Sequence, residues 1–239
     1  MIEMDAFLAA LEATWPSAGR VRGPRWQVRI GQGGGSRVSA ATAEGVLRPS
    51  DIGLVAAAQA ALGQPALWMI RPGDEALDAA LAARGYAVKD PVTAYAGNVA
   101  AMAATPPPPV TAFEVWPPLA VQAEIWGTGG IGPERLAVMT RVAGPKTTFL
   151  GRVDDRPAGT AFVAAAGDVA MVHALEVAPA FRRKGLARHL MAAAARWAAG
   201  QGATHLALAV TRANDGANAL YTSLGMGPVG QYHYRILPE

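Results

Sequence analysis

The stretch Val177-Ala178-Pro179-Ala180-Phe181-Arg182-Arg183-Lys184-Gly185-Leu186-Ala187 decides how this 239-residue chain reads. Ahead of it, residues 169–177 are β-branched and apolar enough to predict a strand. Behind it, Leu186, Leu190, Ala194 and Trp197 recur at helical spacing and predict a long helix over residues 184–199. Between strand and helix lies a short turn of cations and glycine. The first N–H groups of a helix have no acceptor within it, and the helix dipole favours an anion there. Gly185 lets backbone approach a ligand with no Cβ in the way. Ala187 keeps the next contact small, and Arg182, Arg183 and Lys184 supply positive charge. The turn therefore predicts a phosphate site. Arg-x-x-Gly-x-Ala is common by itself, so its weight comes from this strand–turn–helix setting.

Around that turn the chain reads as α/β. Before it come helices near 119–126 and 134–142 and strands at 147–153 and 157–165. After it come a strand at 204–210, a helix at 215–224 stopped by Gly225, and a strand at 231–237. In that last strand Tyr232 and Tyr234 fall on one face and His233 and Arg235 on the other.

Thr105-Pro106-Pro107-Pro108-Pro109 suits neither helix nor sheet interior and reads as an extended spacer. It divides the chain into 1–104, a linker at 105–109, and 110–239. The first part predicts a helix from Ile2 to Thr14, a strand Trp26-Gln27-Val28-Arg29-Ile30, a glycine turn at 33–35 and a strand at 37–41. A helix capped by Asp51 follows, then a strand at 66–70, a helix at 74–84 ending at Gly85, and a strand at 92–99. A shift of 140 residues aligns the two parts without a gap. Leu206–Val210 falls on Ala66–Ile70, Asn214 on Asp74, Tyr221 on Leu81, and Gly225-Met226 on Gly85-Tyr86. Two α/β units sharing turn chemistry would look similar; a duplicated unit whose first copy has lost its chemistry accounts for more of the correspondence.

The second part resembles the GNAT superfamily of N-acetyltransferases. That family carries a Val-x-Pro strand end followed by (Gln/Arg)-x-x-Gly-x-(Gly/Ala), matched here by Val177 to Ala187. It then carries Asn-x-x-Ala-x-x-Leu-Tyr-x-x-x-Gly-(Phe), matched by Asn214-Asp215-Gly216-Ala217-Asn218-Ala219-Leu220-Tyr221-Thr222-Ser223-Leu224-Gly225-Met226, with Met226 for the usual Phe. The likeness covers residues 110–239. Residues 1–104 more faintly resemble the degenerate amino-terminal halves of tandem members. The resemblance implies a GNAT-like mixed, mostly antiparallel sheet flanked by helices, in two related halves. It also implies acetyl-CoA as co-substrate, with an acetyl group passed directly to a primary amine in a ternary complex.

Roles follow from the resemblance position by position. The backbone of Leu175, Glu176 and Val177 pairs with the pantetheine arm, and Arg182, Arg183, Lys184, Gly185, Leu186 and Ala187 hold the pyrophosphate. Asn214 and Asn218 lie along the cofactor arm, and Tyr221 protonates the departing thiolate. The base is more open. Ala209 stands where some members place a Glu. Others place a base four residues before the Val of Val-x-Pro, which is His173, a side chain of near-neutral pKa. Glu176 and a water chain are the alternatives. Strand alternation would aim Glu176 away from His173 unless a bulge intervenes. The tail 231–235 reads either as lining of an acceptor pocket or as ordinary strand packing.

Composition narrows the rest. The chain is 51% apolar and 16% charged, the balance of a folded chain, not a disordered one. Its net charge is +3 with no basic run interleaved with aromatics, so nucleic acid is not an expected partner. It has no cysteine, which excludes disulfides, thiolate metal sites and a Cys acyl-enzyme, and no metal is expected. The acidic start and the lack of a long uncharged apolar run predict a cytoplasmic protein without a membrane partner, monomeric or homodimeric. The acceptor class stays open between small amines and peptide amino groups. A non-catalytic acyl-CoA-binding module would keep the phosphate turn, but has no use for Tyr221; a pure scaffold explains neither motif.

Overall fold

Helix α1 (Met4–Thr14) buries Phe7, Ala10, Leu11 and Thr14, the one-sided spacing its sequence predicts. The computed structural model, which describes residues 2–238, continues with strands β1 (Gly19–Arg22) and β2 (Trp26–Ile30), the one-turn helix α2 (Ser36–Ser39) and β3 (Ala41–Ala43). Then come α3 (Pro49–Ala61), β4 (Leu67–Ile70), α4 (Glu75–Ala82), β5 (Ala87–Asn98), α5 (Val99–Ala103) and β6 (Ala112–Val115). Helices α6 (Ala120–Thr128) and α7 (Pro133–Arg141) precede the strands β7 (Lys146–Val153), β8 (Arg156–Ala166) and β9 (Val169–Val177). A 3-10 turn at Pro179–Phe181 leads to α8 (Leu186–Gly200), β10 (His205–Thr211), α9 (Asp215–Ser223) and β11 (Gly227–Ile236). The expected α/β class, with a mixed and mostly antiparallel sheet flanked by helices, is the one observed.

The chain forms two compact units. The larger contains the segment through Pro16, Ala94–Val210 and Asn214–Val229; the smaller contains Ser17–Thr93, Thr211–Ala213 and the segment from Gly230. The prolines at 106–109 carry no regular element, as expected, but they join α5 to β6 inside the larger unit. The break in compactness is therefore not at 105–109. Met102 and Ala103 of α5 pack on the core beneath α8, which ties residues 94–104 to the larger unit.

In the larger unit β6, β7, β8 and β9 are successive antiparallel neighbours, and β9 pairs with β10 in parallel. Helix α8 covers one face with Leu186, Leu190, Met191, Ala194 and Ala198, all buried. Each large apolar side chain so buried stabilises by roughly 1.5–3 kcal/mol. Helices α1 and α6 pack on β8 and β9.

In the smaller unit β1, β2 and β3 run antiparallel, β3 pairs with β4 in parallel, and β4 pairs antiparallel with β11. Its core gathers Val28, Val55, Trp68, Ile70 and Leu81. Two expectations are corrected here. The strand placed at 37–41 is mostly helix α2: Gly35, at φ 95°, turns the chain, and Ser39 Oγ donates to Gly35 O. Asp51 is not the capping residue of α3 but its third residue, reaching back to the N–H of Arg48 at 2.7 Å. Strand β11 alternates as predicted, with Tyr232 and Tyr234 buried and His233 and Arg235 bonded to Asp78. Burial holds the Tyr234 hydroxyl well above the ordinary tyrosine range.

Candidate functional site

The turn between β9 and α8 has the strand–turn–helix form that the sequence predicts. Arg183 and Gly185 both take left-handed backbone, φ 65° and 83°, and α8 begins at Leu186. Among the described residues the N–H groups of Arg183 through Ala187 donate to nothing within the chain. A side chain at Gly185 would find open space, its nearest neighbour being His189 Cε1 at 4.0 Å, so glycine is needed there for its backbone angle and not for room. The cations are anchored from outside the turn. Arg182 donates to Val177 O and to Glu176 Oε1, each at 3.0 Å, and Lys184 Nζ lies 2.7 Å from Asp154. A row of unbonded donors at the end of a long helix, with cations at its rim, fits a pyrophosphate.

Strands β9 and β10 then part company. Their pairing covers His205↔Val169, Leu206↔Ala170 and Ala207↔Met171, and ends there. Among the described residues the rest of β9, through Leu175 to Val177, has no ladder partner on its β10 side. An extended ligand can pair with that open edge as another strand would.

Strand β9 also bulges. Phe162 pairs with His173 and Thr160 with Glu176, so one residue of β8 opposes two of β9, and Ala174 takes φ 50°. The Trp126 Nε1–H donates to Ala174 O at 2.7 Å and pins the bulge. Because Phe162 and Thr160 are two apart on β8, their partners His173 and Glu176 emerge on one face. Simple alternation predicts opposite faces; the bulge reverses that.

His173 is 4% exposed. Its ring packs against Trp15 at 5.0 Å and Phe162 at 6.1 Å, and its Nε2 lies 2.9 Å from Thr14 Oγ1. Glu176 lies against Gly129 so closely that a Cβ there would sit 2.7 Å from its Cδ. Thr14, Trp15 and Trp126, which hold these groups, escape sequence reading because each carries only the pattern of an ordinary core position.

On α9, Asn214 caps the helix, its Oδ1 accepting from Ala217 N at 3.1 Å, and Asn218 Nδ2 donates to Asn214 O at 2.8 Å. Tyr221 is buried against Tyr95, ring centroids 6.1 Å apart, and burial pushes its hydroxyl up to about 12. The hydroxyl stays protonated throughout the physiological range. No described helix is long and apolar enough to cross a membrane.

The family model described as "Acetyltransferase (GNAT) family" matches residues 113–226. A GCN5-related N-acetyltransferase from Kribbella flavida has a similar fold: TM-score 0.67, 22% identity, 98% of this chain and 95% of that one covered. So does a functionally unknown conserved protein from Staphylococcus epidermidis, at TM-score 0.72 and 12% identity over 94% and 96%. A tandem GNAT protein from the clavulanic acid biosynthesis pathway aligns at TM-score 0.55 and 16% identity over 82% and 74%. At such identities the likeness is one of fold. No curated protein matches the chain.

Proposed function

Residues 113–226 of this chain form a domain of the acetyltransferase (GNAT) family, and on that premise we propose that it transfers an acetyl group from acetyl-CoA to a primary amine by direct attack. The family's chemistry is acyl transfer from an acyl-CoA to an amine. The observation that carries the finer reading is the joint occurrence of an unbonded N–H row at Arg183–Ala187 and a buried, protonated Tyr221. A binding module needs only the first.

Acetyl-CoA supplies the thioester-activated acetyl group. The backbone of Arg183–Ala187, with Arg182 and Lys184 at the rim, holds the pyrophosphate, and the open edge at Leu175 and Val177 pairs with the pantetheine amides. Asn214 and Asn218 flank the arm. Tyr221 gives its hydroxyl proton to the departing sulfur, which lowers the cost of expelling a thiolate. His173 takes the proton of the substrate ammonium, with Glu176 the alternative on the same face. Without cysteine, the amine attacks the thioester itself. The two units repeat one element order, strand–turn–helix–strand–helix, from β3 to α4 and from β9 to α9. We read the smaller unit as the degenerate copy.

The experiment is thiol release from acetyl-CoA across a panel of amines, comparing wild type with Tyr221→Phe. Amine-dependent release that falls in the variant supports transfer. Tight acetyl-CoA binding with no amine ever acetylated sinks it.

A further inference from the structure

Ala174 is a poor residue for the place it occupies. Its φ of 50° lies in the left-handed region, where a Cβ crowds the following carbonyl and glycine is the usual occupant. Among the described residues one other non-glycine strand position, Asp90, takes such an angle, and a short polar side chain tolerates it. Alanine has no side-chain bond to set against the strain. Contacts from outside residue 174 must hold it there.

Helix α6 supplies that contact. Gln122 and Trp126 are four residues apart and project from one face of the helix. Gln122 Nε2 donates to the hydroxyls of Thr148 on β7 and Thr160 on β8, each at 3.0 Å. Those two bonds fix α6 on the sheet without help from Trp126. Trp126, wholly buried in the last turn of α6, is thereby aimed at β9, where its Nε1–H meets Ala174 O at 2.7 Å. Directly after it the chain folds back: Ile131 N donates to Trp126 O at 2.8 Å, and Gly129 rests against Glu176. The end of one helix touches both the bulge and the carboxylate beyond it.

The bulge decides what β9 presents. Ala174 and Leu175 together oppose Ala161. Losing that offset would return the strand to plain alternation and send Glu176 to the face opposite His173. The same one-residue shift would exchange the backbone groups of Leu175–Val177 that point to the open edge for those that point to β8. We propose that Trp126 is a positioning residue: its indole N–H keeps Ala174 left-handed, and so holds His173, Glu176 and the pantetheine edge in the phase that transfer needs. The kinetic arm of its test rests on the transferase reading; the exchange arm does not.

The test compares the whole chain as wild type, as Trp126→Phe, and as Trp126→Phe combined with Ala174→Gly, each well below its melting temperature. Phenylalanine keeps an aromatic ring and removes the donor. Glycine takes the left-handed angle without strain. Trp126→Phe is expected to lower kcat about tenfold or more. The added Ala174→Gly should recover most of that loss, although it fills none of the space that phenylalanine leaves. Amide hydrogen exchange at Leu175 and Glu176 should quicken about tenfold or more in Trp126→Phe and slow again in the double variant. If Trp126→Phe does not fold, 3-benzothienylalanine at position 126, which keeps the fused-ring shape and lacks the N–H, replaces it in both arms. Full kcat in the folded single variant, or a double variant no better than the single, would overturn the proposal and leave Trp126 a packing residue. If wild type transfers no acetyl group, the transferase reading fails and exchange decides alone. Unchanged protection at Leu175 and Glu176 then overturns the positioning role, and faster exchange reversed by Ala174→Gly upholds it.

Discussion

The Nε2 of His173 lies 2.9 Å from the hydroxyl of Thr14, and that hydroxyl gives its own proton to Ala10 O at 2.7 Å. A hydroxyl has one proton, so Nε2 must carry the hydrogen of the His173–Thr14 bond. The tautomer is set by the last turn of α1. Thr14→Val removes the acceptor and leaves a buried N–H, at a cost of about 1–3 kcal/mol, read as a lower melting temperature. His173→Phe keeps the ring packing against Trp15 and Phe162. It is expected to abolish the acidic limb of the kcat pH profile. A limb that survives in His173→Phe and vanishes in Glu176→Gln moves the base to Glu176.

The ion pair of Glu176 with Arg182, at 3.0 Å, ties the end of β9 to the phosphate turn. Arg182 is largely exposed, so the pair adds little stability. Its effect belongs to positioning. Arg182→Ala should raise KM for acetyl-CoA several-fold while kcat stays close to wild type, the pattern of lost uniform binding. Gly185→Ala tests the same turn through its backbone. A left-handed alanine costs roughly 1–2 kcal/mol, which should appear as weaker acetyl-CoA binding, since space around the new methyl is ample.

Tyr221 gives a prediction with two readouts. Tyr221→Phe should lower kcat by about 10²–10⁴-fold, the usual scale for a positioned acid, with little change in melting temperature at neutral pH. The second readout is alkaline. Burial raises the hydroxyl to about 12, so the folded state holds this proton longer than the unfolded chain does. The resulting stability is present below pH 10 and is lost as pH rises through 12; the difference is worth roughly 3 kcal/mol. Unfolding curves of Tyr221→Phe should therefore decline less steeply above pH 10 than those of wild type.

The turn at 182–187 and the helix bearing Tyr221 were legible because chemistry and periodicity coincide there: glycine, cations and an apolar stripe each mark one position. The bulge at Ala174 was not. It depends on Trp126, 48 positions earlier, donating to Ala174 O, and no local pattern encodes such a bond. The proline run misled for the opposite reason. Pro106–Pro109 forbids helix and sheet, which is a local fact, but whether a spacer separates two units depends on what packs beyond it. Met102 and Ala103 reach the core under α8. At 37–41, alternating residues suggested a strand, while Gly35 and the Ser39 hydroxyl decided for a helical turn. At the bulge and beyond the prolines a tertiary contact overrode a local preference; at 37–41 one local signal overrode another.

Acid should test the smaller unit through two carboxylates that the sequence offered only as a cap and a helix residue. The Arg25 guanidinium, with the Arg48 N–H, holds Asp51 below the ordinary carboxylate range. The Arg235 guanidinium, with His233, does the same for Asp78. A carboxylate whose pKa is depressed on folding binds fewer protons in the native state than in the unfolded chain. Its stabilising effect is therefore complete above the ordinary Asp value and is lost as pH falls through the folded one. Melting temperature should begin to fall near the ordinary Asp value of 3.8 and go on falling below it. Asp51→Asn and Asp78→Asn should each melt earlier than wild type at pH 7, and the curves should converge at the acid end, where wild type has lost the same charges.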